Sequence, residues 1–251
     1  MDASSIFAKS RALVAPVLAT ITLLLSACAQ EAAAPPVAAA PTLPDLSGYW
    51  ELRADSKHVT EASVTAEGKA LAASYMPKVT DGNILTHASR WCQHLGMPFI
   101  MGDSAPLNFL QTQNEMAIIA EVQSAARHIY LDGRSFPGAE VFDPTTNGFS
   151  VGRFEGDVLV VETQGFNALG NPGIPGGGAR TPTSKLTERF QLQEAGQQLS
   201  VTFTWEDPMM FTKPHTYDFT YYKAPPDTYA LEYFCDASDP LRPKTAEEPA
   251  Q

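Results

Sequence analysis

Apolar and polar positions alternate most cleanly between residues 186 and 205. Leu186, Glu188, Phe190 and Leu192 share one face of an extended chain, with Thr187, Arg189 and Gln191 opposite. After a turn at Ala195-Gly196, Leu199, Val201, Phe203 and Trp205 share a face against Ser200, Thr202 and Thr204. Side chains of a strand point alternately to its two faces, so this period predicts a hairpin with one buried and one wet side. Residues 148–165 predict a second hairpin, turned at Glu155-Gly156-Asp157. Its second arm, Val158 to Thr163, is rich in β-branched residues and apolar on both faces, as a central strand is. Gly156 supplies the positive φ that a short turn needs.

Further strands are expected at 45–52, 107–112, 116–123, 128–131, 216–222 and 229–234. Helices are expected at 65–77, where Thr65 can cap, and at 88–95, ended by Gly96. Residues 165–182 are a long glycine- and proline-rich loop, read as a flexible lid or surface loop. The sum is a mainly β domain: an antiparallel meander closing as a barrel, with one or two short helices inserted early. A β-sandwich is the alternative. Gly48-Tyr49-Trp50 at the head of the first strand resembles the opening of lipocalin-like (calycin-type) barrels, where the tryptophan closes the floor.

The N-terminus changes the picture of where this domain works. Lys9 and Arg11 precede an apolar run from Ala12 to Leu25, too short for an ordinary transmembrane helix. Leu25-Ser26-Ala27-Cys28 then resembles a bacterial lipobox. That resemblance implies a signal peptide at 1–27, cleavage before Cys28 and lipid on its sulfur; an ordinary cleaved signal is the alternative. Each buried CH₂ of an acyl chain contributes about 0.8 kcal/mol, so several chains anchor stably. Ala29 follows in place of an aspartate, which places the anchor in the outer membrane, on its periplasmic face. Residues 28–44 form an Ala/Pro linker, 45–236 the folded domain and 237–251 an acidic tail.

The full chain of 251 residues carries a net charge of −11. An acidic chain without a basic stripe is a poor partner for nucleic acid, so the partners expected are the membrane, through the anchor, and a small apolar ligand. Cys92 and Cys235 remain beside Cys28, and two cysteines in an oxidising compartment predict one disulfide.

His128-Ile-Tyr-Leu-Asp-Gly-Arg134, Gly152-Arg-Phe-Glu-Gly-Asp-Val-Leu-Val-Val-Glu-Thr163, Leu186-Thr-Glu-Arg-Phe190 and Asp207-Pro-Met-Met-Phe-Thr-Lys-Pro214 occur in that order. Together they resemble an uncharacterised family of exported bacterial proteins, over roughly residues 45–236. No established reaction comes with the family, so the resemblance transfers no catalytic residue. Many members have a His-Ser-Glu-like segment where this chain has Pro182-Thr183-Ser184-Lys185.

Candidate chemistry is sparse. Gly148-Phe-Ser150-Val-Gly152 matches a nucleophile-elbow pattern, but that elbow needs a strand, a strained turn and a helix. Here the serine lies inside a strand, and His215 and Asp218 complete a triad only if folding brings them to it. The histidines show no helical i, i+4 pair, and His87, Cys92 and His94 form only a loose cluster, so no metal is expected. No cofactor motif is present: the glycines at 170–178 lack the lysine and the helix of a phosphate loop. The informative positions are carboxylates among apolar residues, Glu188 above all and then Glu162, with Arg153, Arg134 or Arg180 as partner. Two function classes follow. One is a lipid-anchored carrier of a small apolar or amphipathic molecule in the barrel mouth, with Arg153, Arg134, Trp205 and Glu188 as ligand-binding residues. The other is a periplasmic hydrolase, lyase or isomerase with Glu188, Glu162 and His215 as acid–base candidates.

Overall fold

The computed structural model describes residues 43–75, 94–168 and 173–232. All of them lie in a compact unit, Pro41–Gln251. Cys28, Cys92 and Cys235 fall outside the described residues, and with them the lipobox and the disulfide. So does most of the helix expected at 88–95; His94 and Leu95 are described and are not helical.

Nine strands close into one barrel. They are β1 (Gly48–His58), β2 (Leu107–Gln111), β3 (Glu115–Ala120), β4 (Ala125–Tyr130), β5 (Phe149–Glu155), β6 (Val158–Gln164), β7 (Lys185–Gln193), β8 (Gln198–Glu206) and β9 (His215–Lys223). Among the described residues, two short helices, α1 (Ala66–Tyr75) and α2 (Phe99–Gly102), sit between β1 and β2. Each strand pairs with its neighbours in sequence, and β9 closes the ring on β1. Every antiparallel step reverses the chain, and a closed ring must return to its starting direction. An odd ring therefore needs a parallel pair. It falls between β4 and β5, which a long crossing segment joins; the other pairs are antiparallel.

Local rules account for most of this. Gly156 takes φ +62° in the β5–β6 turn. Gly152 has a second role: a Cβ there would lie 2.8 Å from Leu131 Cδ2 and 3.0 Å from Ile129 Cγ2. Its bare backbone lets β4 and the residue after it close over β5. Thr65 Oγ1 accepts the Gly68 amide at 2.8 Å and so caps α1. The strand expected at 229–234 does not form over Tyr229–Glu232. Pro225-Pro226 interrupts the chain, and β9 already has β8 on one edge and β1 on the other, so the closed ring offers no edge to a tenth strand.

The period-two faces turn inward. Leu186, Phe190, Leu199, Val201, Phe203 and Trp205 are buried, joined by Tyr217, Phe219 and Tyr221 from β9. Phe203 and Tyr217, opposite each other on β8 and β9, stack with centroids 4.9 Å apart. At the floor, the Trp50 indole N–H donates to the Leu46 carbonyl at 2.8 Å, and Lys223 Nζ lies 4.4 Å from the Trp50 ring centroid. At the other end the described part of the glycine-rich loop is held down rather than free. Ile174, Ala179, Arg180 and Thr181 are buried there. The Asp207 carboxylate accepts the hydroxyls of Thr181 at 2.5 Å and Ser184 at 2.6 Å, and the Met209 amide at 3.0 Å. No helix among the described residues is long and apolar enough to cross a membrane.

Candidate functional site

The parallel junction is the weakest seam of the barrel wall. Ile129 pairs with Ser150 and Tyr130 with Val151, and the ladder between β4 and β5 goes no further. Beyond those two pairs the strands part, and side chains take over the work of the missing backbone bonds.

Inside the wall that work falls to Arg127. It alternates with Ala125 and Ile129 on the buried face of β4 and is only 1% exposed. Its Nη1 donates to Glu188 Oε1 at 2.8 Å, and its Nη2 donates to Glu188 Oε2. Nη2 also donates to Thr163 Oγ1 at 2.9 Å, and Nε to Ser150 Oγ at 3.3 Å. The Ser150 and Thr163 hydroxyls lie 2.9 Å apart. One guanidinium thus links β4 to β5, β6 and β7 in a two-pronged pair with a carboxylate that is 0% exposed. Burial, reinforced by the negative charge of Glu188, pushes the Tyr217 phenol well above its ordinary value, against the hydrogen bond from Trp205. Burial raises Tyr221 in the same way, with Tyr217 and Glu188 adding and Arg127 opposing. Both phenols therefore stay neutral in the barrel interior. Tyr221 uses its hydroxyl to donate to the Met101 carbonyl at 2.5 Å.

Outside the wall, the parting strands leave a cleft of about 340 Å³. Tyr130, Phe142 and Phe149 give it an aromatic lining, and His94, His128 and Asn147 a polar one. Tyr130 and Phe149 lie 4.9 Å apart, and Phe142 meets Phe149 edge-on at 5.3 Å. Glu115 orients His128 through its Nδ1. Ser150 belongs both to the cleft lining and to the buried network.

The residues singled out in the sequence are not gathered into one place. Glu188 does point into the barrel, and its partner is Arg127 rather than Arg153, Arg134 or Arg180. Glu162 lies on the outer wall, paired with Arg153 at 2.8 Å; Arg153 also meets Glu155 at 2.9 Å. Arg134 pairs with Asp132, whose carboxyl its hydrogen bonds hold down at about 2. The Arg134 guanidinium also lies 3.9 Å from the centroid of the Tyr130 ring, behind the cleft. Trp205 is buried, its N–H 3.2 Å from the Tyr217 hydroxyl. His215 is buried with Nε2 2.6 Å from the Pro175 carbonyl, while Asp218 accepts the Thr202 hydroxyl at 2.5 Å. Ser150 is followed by strand rather than helix and is held by Arg127 and Thr163, so this is no nucleophile elbow. Among the described residues no group of three or more His, Cys, Asp or Glu is placed to hold a metal ion.

Arg127 is the member that sequence reasoning missed. Its signal was present: Ala125, Arg127 and Ile129 alternate with Ala126 and His128. Starting the strand at His128 instead of Ala125 leaves the arginine in a turn. No family model, curated protein or solved structure matches this chain, so its function is read from the geometry of the seam.

Proposed function

We propose that the protein is a lipid-anchored periplasmic binding or carrier protein, and that its small amphipathic ligand sits in the cleft at the β4–β5 seam. The observation that carries this reading is the mixed lining of that cleft, aromatic rings beside a few polar groups, in a volume of about 340 Å³. Small-molecule sites share this character, and this one lies toward the low end of their size range. The seam is favoured over the barrel mouth because large buried aromatic side chains from β7, β8 and β9 fill the barrel. Acid–base catalysis at the two carboxylates has less support. Both oxygens of Glu188 are engaged by Arg127, and Glu162 is engaged by Arg153.

Protein isolated under native conditions and extracted for mass spectrometry should carry a stoichiometric small molecule. Phe142→Ala and His128→Ala should each reduce its retention about tenfold, corresponding to 1.4 kcal/mol. Ligand-free protein from its own periplasm, or retention indifferent to both changes, would refute the assignment. The anchor has its own test. Cys28→Ser should leave the protein unacylated and release it from membranes into the soluble periplasmic fraction. The same acyl mass found on that variant would sink the lipidation.

A further inference from the structure

We infer that the seam cleft is a site of proton abstraction, in which His128, held by Glu115, is the base and a neutral aromatic molecule with an acidic C–H is the substrate class. This rests on reading the cleft as a ligand site and gives that site a reaction. Glu115 on β3 bonds Nδ1 of His128 on β4. An ionised carboxylate only accepts hydrogen bonds, so Nδ1 carries the ring proton and Nε2 keeps its lone pair. The two nitrogens of an imidazole lie on opposite sides of its Cβ–Cγ axis, and β3 and β5 flank β4 on opposite edges. With Nδ1 drawn to β3, Nε2 is turned outward and to the β5 side, where the cleft opens and His128 lines it. Among the described residues no hydrogen bond reaches Nε2. His94, the other histidine of the lining, has no carboxylate partner among the described residues.

A carboxylate that fixes one tautomer of a histidine also stabilises the imidazolium formed when Nε2 takes a proton. The His128 side chain is 56% exposed, so that proton can pass on to water and the base is restored. Tyr130, Phe142 and Phe149 supply the surface for an aromatic body, because rings gain from edge and offset contacts with other rings. Among the described lining residues there is no Lys or Arg, so an ionised ligand finds no free counter-charge and an enolate no cation to hold it. The negative charge must leave on a departing atom, which makes elimination the reaction. The C–H bond breaks to Nε2, its electron pair forms the new π bond, and the leaving group departs with the pair of the bond it breaks. No oxidant or cofactor enters the balance.

The probe is 5-nitrobenzisoxazole, a neutral bicyclic aromatic that loses a ring C–H to a base as its N–O bond breaks, giving a coloured cyanonitrophenolate. Turnover is read by absorbance on the full chain, and binding by the amide resonances of residues 142–150. Turnover should be saturable, with kcat/KM at least about a hundredfold above the rate constant of free imidazole. His128→Gln should lower kcat at least about a hundredfold with KM little changed. Glu115→Gln should lower kcat about tenfold, again at unchanged KM, because the amide can hold the ring but cannot balance its charge. Imidazole added to His128→Ala should restore part of the lost turnover. Cleft resonances that shift while the rate stays at that of free imidazole, or while His128→Gln keeps full activity, would overturn the base and leave the cleft standing as a site. Unchanged kcat in Glu115→Gln would overturn the pairing of the two residues in the reaction. Failure of the probe to move any cleft resonance would overturn the site itself, and the reaction with it.

Discussion

Glu188→Leu should lower the folding free energy by about 3–5 kcal/mol, and adding Arg127→Met should restore most of the loss. The single change leaves a guanidinium 1% exposed with no carboxylate beside it. Ser150 and Thr163 can accept its hydrogen bonds, but hydroxyls do not neutralise its charge. The double change removes both charges and fills similar volume with apolar atoms, a swap that in buried pairs is often neutral or stabilising by about 1–4 kcal/mol. Glu188→Gln should fall between, since the amide can still accept from Arg127 through one oxygen. Urea titrations of the wild type, Glu188→Leu alone, Arg127→Met alone and the double variant give the coupling directly. Wild-type stability in Glu188→Leu would show that the pair contributes nothing to the fold. A double variant as unstable as the single ones would show that the network, with its two hydroxyls, outweighs an apolar filling. In either case the change can reach the cleft through Ser150, which lines it, and through Ala126 and His128, the lining residues on either side of Arg127.

The barrel was legible because its main signal is local. Residues 186–205 alternate with a period of two, and both strands lie with the expected faces inward. Gly156 announces its turn by the same short-range logic. Glu188 stood out because a carboxylate among Leu186 and Phe190 breaks the pattern it sits in. Its partner was hidden because partnership is long-range: Arg127 is 61 positions away, in a strand whose alanines carry little apolar signal. The seam cleft was equally hidden. It arises from ring closure with an odd number of strands, and that property belongs to the whole sheet rather than to any window of sequence. The glycine- and proline-rich loop misled for a different reason. Its composition suggests mobility, while its buried Arg180 and the Asp207 carboxylate that binds Thr181 hold its described part against the barrel end.

Arg180→Met gives that loop its test, with an expected loss of at least about 3 kcal/mol. Arg180 is fully buried and donates through Nε to the Asn167 carbonyl at 3.0 Å, through Nη1 to the Leu95 carbonyl at 2.7 Å, and through Nη1 again to the Met97 carbonyl. These carbonyls belong to two segments distant in sequence, one entering α2 and one leaving β6. Methionine keeps the apolar stem and removes every donor. Two buried carbonyls and one part-buried one then lose a charged donor, each such bond contributing about 1.5–3 kcal/mol, although relaxation makes the sum less than additive. Arg180→Lys should recover only part, because an ammonium cannot reproduce the geometry of a planar fork. For a domain of this size each kcal/mol lowers the melting temperature by roughly 2–4 °C. Hydrogen exchange should rise first at residues 95–101, 165–168 and 173–181, while the β7–β8 hairpin keeps its protection until global unfolding. An unchanged melting temperature with unchanged exchange would mean that the loop is the free surface segment its composition suggests. A uniform rise across the barrel would mean that Arg180 supports the whole closed ring, because local loosening would then be inseparable from global unfolding.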